Sequence, residues 1–145
     1  LLFRAPGENA EPVGHKPADF PVDLWQKWAS PVWFDISQTA VLNNKAEASK
    51  WVGDAISLDA AREDDDERHL CPLQLPLIER AIVMWSNPGD VVLSPFMGIG
   101  SEGVVAMRKM RKFIGCELKP SYWRQAVRAI EAAERGSVDL FAEAA

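Results

Sequence analysis

Asp90-Val91-Val92-Leu93-Ser94-Pro95-Phe96-Met97-Gly98-Ile99-Gly100-Ser101 carries the pattern that decides the fold. Val91–Leu93 is short, β-branched and uniformly apolar, the composition of a strand buried on both faces. Pro95–Gly100 is a glycine-bearing loop. Ser101 can cap a helix running through Lys109, with Val104, Val105 and Met107 apolar. Lys112-Phe113-Ile114-Gly115-Cys116 reads as a second strand. Pro120 opens a last helix, whose apolar face is Tyr122, Trp123, Ala126, Val127, Ile130 and Ala133. Upstream, Leu77, Ile78, Ala81, Ile82 and Trp85 recur at helical spacing, and Asn87-Pro88-Gly89-Asp90 ends that helix in a turn. Strand, glycine loop, helix, strand, helix is a βαβα unit, so the fold class is α/β with a parallel sheet and a right-handed crossover.

The loop also carries the chemistry. Gly98 and Gly100 stand between a strand and a helix N-terminus, where the backbone can approach a ligand closely and N–H groups are unpaired. Doubly wound folds bind nucleotides at this place. No Gly-Lys-Ser/Thr follows, so this is not a Walker loop, and the dinucleotide spacing is met only by counting Gly103. Glu117 directly follows the second strand, where a carboxylate can accept hydrogen bonds from both hydroxyls of a ribose. Alone, a Glu near Lys119 is as readily a surface ion pair. Beside the glycine loop it points to a ligand that carries a ribose and need not carry phosphate.

The 145 residues are one domain's worth of sequence, and 48% hydrophobic with 26% charged is the balance of a soluble globular protein. Apolar runs such as Ala81–Trp85 are too short to span a bilayer, and the N-terminus has no signal-peptide pattern. No initiator Met is present, as expected of a fragment or processed product. Cys71 and Cys116 sit among apolar neighbours, consistent with reduced interior thiols and a cytoplasmic protein, and two Cys and two His make no metal-ligand pattern. The net charge of −5 is uneven: residues 104–135 hold 8 basic and 3 acidic side chains. Arg108, Lys109, Arg111 and Lys112 could meet phosphate, but closing a helix C-terminus is the readier role for them. Residues 1–5 read as the end of a strand and 6–9 as a turn. Pro12, Pro17, Pro21 and Pro31, with Trp25, Trp28 and Trp33, make residues 10–35 an extended connection pinned by aromatic packing, with base stacking the lesser role for the tryptophans. Residues 35–44 suggest a short strand and turn. Residues 45–68 read as a polar loop or exposed helix end that includes the acidic run Glu63–Glu67.

These residues resemble a family. Ser94-Pro95-Phe96-Met97-Gly98-Ile99-Gly100-Ser101 is similar to motif I of the amino-group (N6-adenine/N4-cytosine) DNA methyltransferases, usually Asp-Pro-Phe-x-Gly-x-Gly-Thr. His69-Leu70-Cys71-Pro72-Leu73-Gln74-Leu75-Pro76 is similar to motif X, usually His-Pro-x-Gln-Lys-Pro. Phe113–Glu117 is similar to motif II. The order X, I, II is that of the permuted β group, and Pro31–Ile36 with Asp66–Gln74 resembles phage- and prophage-type members. The resemblance runs over residues 1–135 and is tightest over 66–124. It implies a partial Rossmann-like, S-adenosyl-L-methionine-dependent methyltransferase fold. Residues 1–68 would then be a connecting or target-recognition segment, 69–135 the cofactor-binding half of the domain, and 136–145 a tail.

The resemblance further implies that Cys71, Pro72, Leu73 and Gln74 wrap the methionine end of S-adenosyl-L-methionine. Pro95, Phe96, Gly98, Gly100 and Ser101 would line its methionine and sulfonium region, Glu117 would take the ribose hydroxyls, and Leu118 would lie against the adenine. Ser94, Leu75 and Ser101 depart from the usual Asp, Lys and Thr. The family's catalytic tetrapeptide, Asn/Asp/Ser-Pro-Pro-Tyr/Phe, occurs nowhere in the chain, so no residue takes its role. The expected function is the cofactor-binding part of a site-specific DNA methyltransferase, in restriction–modification or phage biology, dependent on DNA and on a missing N-terminal half or a second copy. The alternatives are a non-catalytic remnant serving binding or assembly, and a nucleotide-binding domain of another type.

Overall fold

A computed structural model describes residues 7, 11–52 and 72–142. Its elements are, in chain order, α1 (Val22–Trp28), α2 (Lys45–Val52), α3 (Leu75–Trp85), β1 (Val91–Ser94), α4 (Ser101–Arg108), β2 (Lys112–Gly115) and α5 (Pro120–Ala142). Strands β1 and β2 pair in parallel with Val91 opposite Lys112 and Ser94 opposite Gly115, as the βαβα pattern requires. The crossover helix α4 is the centre of the core. It packs against α2, α3, α5 and both strands, and Val104, Val105 and Ala106 have no solvent exposure. Burying each valine contributes roughly 1.5–3 kcal/mol.

The sheet alternates with period two, and only one of its faces is covered. Val92 and Phe113, opposite each other, pack on the core. Val91, Leu93 and Ile114 point the other way and are 56%, 65% and 56% exposed. The expectation of a strand buried on both faces is therefore corrected. Residues apolar enough for burial are present, and among the described residues nothing covers them.

Helix α5 approaches through small side chains. Ala126, Ala129 and Ala133 are fully buried, and a Cβ at Gly100 would lie 2.9 Å from the Cα of Ala126. Gly100 itself is the N-cap of α4, with φ +90°, and no side chain caps the helix. Ser101 was the expected cap; the fit against α5 leaves no room for a side chain at the cap position, so Ser101 becomes the first helical residue. The apolar face read for α5 is shifted, with Trp123 half exposed, and the helix continues to Ala142, into the expected tail.

The N-terminal region is more ordered than its prolines suggest. Pro21 is the N-cap of the two-turn helix α1, a position where its missing N–H costs nothing. Residues 35–44 form turns in place of the expected strand. The Ala40 carbonyl accepts from the Leu75 N–H at 2.8 Å, which ties them to the start of α3. Helix α2 buries Ala48 and Val52, so residues 45–52 are not a polar loop. Cys116 is exposed, which corrects its interior assignment. The strand expected at 1–5, most of the turn after it, the acidic run 63–67 and Cys71 lie outside the described residues.

Arg80 of α3 holds this region in place. Its guanidinium is buried, with its centre 5.7 Å and 5.0 Å from the ring centroids of Trp28 and Trp33. Nη2 donates to Asp35 Oδ2 at 2.7 Å, and Lys27 pairs with the same oxygen at 2.8 Å. The Trp33 indole N–H donates to the Trp28 carbonyl at 2.9 Å. A buried cation needs this pairing.

Arg80 foremost, then Lys27, holds the Asp35 carboxyl well below its ordinary value of 3.8. A folded-state value below the unfolded one adds stability that is complete above about pH 4 and is lost as pH falls toward the folded value. Asp35→Asn is expected to lower the melting temperature at pH 7, and its gap to the parent should shrink steadily below pH 4. Gly100→Ala should cost about 3 kcal/mol or more, combining a left-handed backbone with overpacking against Ala126. Gly89→Ala, also left-handed but facing open space, should cost only about 1–2 kcal/mol. Thermal or urea denaturation of the pair checks the difference.

Candidate functional site

The C-terminal ends of β1 and β2 bring the glycine loop and Glu117 together. Parallel register carries both strands to the same edge, where the Cys116 N–H donates to the Ser94 carbonyl at 2.9 Å. The Met97 N–H donates back to the Cys116 carbonyl, also at 2.9 Å, which fixes the loop over the end of β2. Glu117 then reaches across. Its Oε2 accepts from the Gly98 N–H at 2.9 Å and its Oε1 from the Lys119 N–H at 2.8 Å. A carboxylate has about four acceptor directions, so each oxygen keeps one for a further donor. The side chain is half-buried; the two amide bonds hold it rigid without saturating it.

Two cavities that share Phe96 lie at this edge, one of them lined by Glu117. One, about 280 Å³, is lined by Pro95, Phe96, Cys116, Glu117 and Leu118. The other, about 260 Å³, is lined by Pro72, Leu73, Phe96, Met97, Gly98, Ile99, Ser101 and Glu102. Phe96 belongs to both. Each alone lies below the roughly 300–1,000 Å³ usual for small-molecule sites, whereas the pair falls within that range. Phe96 and Leu118 are 87% and 100% exposed, so large apolar surface stands free at the rim.

Among the residues expected at the site, Pro72, Leu73, Phe96, Gly98 and Ser101 line the second cavity, and Pro95, Phe96, Glu117 and Leu118 the first. Gln74 is the N-cap of α3 and lines neither. Gly100 is turned toward α5, where its role is close packing. Cys71 lies outside the described residues. Met97 and Ile99, within the expected Pro95–Ser101 wall, line the second cavity too, whereas sequence reasoning missed Glu102 and Cys116. Glu102 had a visible signal, an acid one residue into a helix that opens at a ligand loop. Three cations of the basic stretch are spent internally. The Arg108 Nε donates to the Trp51 carbonyl, Lys109 pairs with Glu79, and Arg111 donates to Ser86 and to the Lys109 carbonyl. Among the described residues there is no group of His, Cys, Asp and Glu side chains that could hold a metal ion, and no helix long and apolar enough to cross a membrane.

The chain is similar to known proteins in sequence and fold. The profile of the family described as DNA methylase (N6/N4) matches residues 8–128. The chain is 40% identical over 82 residues to DNA adenine methyltransferase YhdJ of Escherichia coli K12, covering 55% of this chain and 27% of that protein. It is 31% identical over 104 residues to the type II methyltransferase M.BglI of Bacillus subtilis, covering 69% of this chain and 29% of that protein. The chain thus spans less than a third of the length of these relatives. The crystal structure of TTHA0409 from Thermus thermophilus, complexed with S-adenosyl-L-methionine, superposes with a TM-score of 0.58 at 25% identity, over 90% of this chain and 41% of that one. With a family match across most of its length and a partial Rossmann-like methyltransferase fold, the chain belongs to the amino-group DNA methylase family.

Proposed function

We propose that this chain is the S-adenosyl-L-methionine-binding part of a DNA methyltransferase that acts on an exocyclic amine of adenine or cytosine. The observation that carries the reading is Glu117, held by the Gly98 and Lys119 amides with one acceptor direction free on each oxygen. A ribose presents two hydroxyls to such a carboxylate. The residues present fit the rest of the cofactor. Leu118 and Phe96 offer exposed apolar surface to an adenine ring, and the cavity lined by Pro72, Leu73, Gly98 and Ser101 is where an amino-acid end would sit. Bound there, S-adenosyl-L-methionine supplies an electrophilic methyl group on a sulfonium. Glu117 orients the ribose, and the wall from Pro95 to Ser101 keeps the sulfonium side partly dry and aligned for in-line displacement.

The target amine needs acceptors and an aromatic surface against the extruded base. No Pro-Pro-Tyr/Phe string occurs in these 145 residues, so that role is assigned to the portion of the enzyme that the relatives have and this chain lacks. The bare sheet face of Val91, Leu93 and Ile114, with the open strand edges, is where that portion is expected to pack. A cytoplasmic, β-group enzyme of phage or restriction–modification type fits this assignment.

Calorimetry of the chain with S-adenosyl-L-methionine tests the cofactor reading, and failure to bind overturns it. Glu117→Gln sets an amide NH₂ against one of the two backbone N–H donors and removes the charge. Its dissociation constant should rise about ten-fold or more, as expected for losing charge-assisted bonds. Tritium transfer from methyl-labelled cofactor to mixed-sequence duplex DNA should stay at background with this chain alone and rise when the segment carrying the Pro-Pro-Tyr/Phe loop is added. Incorporation by the isolated chain would show that the catalytic groups lie within it.

A further inference from the structure

Residues 35–44, between α1 and α2, line neither cavity of the site, yet they are fastened to α3 at two points. Asp35 pairs with Arg80 at 2.7 Å, and the Ala40 carbonyl accepts from the Leu75 N–H at 2.8 Å. The same stretch is fastened to the core. Ala40 is buried, and Leu42 is fully buried in the cluster that holds Val104 and Val105. Asn44 then opens α2, its Oδ1 accepting from the Ala46 N–H and its carbonyl from the Ala48 N–H. Between the two anchors on α3, Ser37 and Thr39 shape an exposed turn through a 2.9 Å bond between their hydroxyls. The residues that need such a hold are Pro72 and Leu73, which line the second cavity with Gly98 and Ser101. Among the described residues neither makes a hydrogen bond, and Leu73 is 44% exposed, so their own contacts do little to fix them. Gln74 follows as an N-cap without a side-chain bond. The first firmly anchored position after this wall is Leu75. The start of α3 also has no donor to spare for a ligand. The Leu75 N–H goes to Ala40, Pro76 has none, and the Leu77 and Ile78 N–H groups go to the Gln74 carbonyl. It serves the cavity by its shape.

From these contacts we infer that residues 35–44 are a positioning strap for the cofactor site: through Ala40 and Leu75 they hold the Pro72–Leu73 wall in place against the glycine loop and α4. Asp35 and Ala40 are positioning residues, and neither touches the ligand. The inference rests on the S-adenosyl-L-methionine reading and concerns one end of that molecule. The amino-acid end would sit in the cavity that Pro72 and Leu73 line. The adenosine end would lie against Glu117 and Leu118, in the cavity to which this wall contributes nothing. A wall that is loose before binding must be ordered by the ligand, which weakens binding. Loosening the strap therefore costs affinity at the amino-acid end and spares the adenosine end.

The test compares the parent with two loosened chains. Asp35→Ala removes one anchor, and Ser37→Gly/Thr39→Gly frees the exposed turn between the anchors without touching the core or either cavity. Calorimetry uses S-adenosyl-L-methionine, S-adenosylhomocysteine and 5′-methylthioadenosine, the last of which lacks the amino-acid end. Both variants should bind the first two about three-fold or more weakly and 5′-methylthioadenosine as the parent does, which also shows that they are folded. If Asp35→Ala fails to bind 5′-methylthioadenosine, the double glycine variant decides alone. Amide hydrogen exchange is the second readout: the Leu75 N–H should lose about ten-fold more protection than the Val104 and Val105 N–H groups, a difference that general destabilisation does not produce. Equal weakening of all three ligands, or of none, overturns the inference. So does a Leu75 N–H that loses no more protection than those of α4. A parent that binds none of the three ligands refutes the cofactor reading, and this inference with it; a parent that binds them leaves the two separable.

Discussion

Helix α4 has no solvent-facing side at its middle, and the rest of the molecule is arranged around that constraint. Val104, Val105 and Ala106 are completely buried, which requires cover from the sheet on one side and from α2, α3 and α5 on the others. To bring α5 close enough, the contacting positions are small. Gly100 meets Ala126, and Gly103 lies beneath Ile130, where a Cβ would come within 2.4 Å of its Cδ1. The same close approach places the start of α4 at the carboxyl edge of the strands. The binding loop is therefore positioned by packing energy gained several residues away.

The site shows how a rigid anchor and an unfinished surface can coexist. Glu117 is held by two backbone amides and Met97 by the Cys116 carbonyl. Around them stand Phe96 and Leu118, almost wholly exposed. Fixed hydrogen bonds preorganise the polar contacts, and exposed apolar groups supply the free energy of covering when a ligand or further protein arrives. The bare sheet face of Val91, Leu93 and Ile114 belongs to the same account: its residues have strand chemistry suited to burial, and no described residue covers them.

Residues 22–35 are tied to this frame through a charge, whereas Leu42, Ala48 and Val52 further along join the apolar core. Arg80 projects from α3 into a cage of Trp28, Trp33 and Asp35. The proline-rich stretch can thus hold a defined course with only a two-turn helix of its own. The tryptophans that could have served base stacking divide accordingly. Trp28 and Trp33 are committed to Arg80, whereas Trp25 is half exposed.

The local signals in the sequence were sufficient for the βαβα unit. Val91–Leu93 and Phe113–Ile114 are too apolar and too short for anything but strands. Pro88-Gly89 and the Gly98/Gly100 pair mark the turns, and Pro120 starts the last helix. The glycine loop and Glu117 were legible as neighbours because spacing along a parallel βαβ unit dictates which residues share the strand ends. What spacing does not encode is which face of a residue the tertiary contacts claim. Gly100 reads as a ligand-side glycine, yet packing against Ala126 claims it. Ser101 reads as a cap, but it is the first helical residue and its hydroxyl is buried without a hydrogen-bond partner. Arg108, Lys109 and Arg111 read as a possible phosphate face, and internal carbonyls and Glu79 take them. Glu102 shares a cavity wall with Pro72 and Leu73, thirty residues earlier in the chain. Residue chemistry and local spacing act within a few bonds along the chain. Competition for one side chain between a ligand, the solvent and a neighbouring element is settled only when elements distant in sequence are brought into contact.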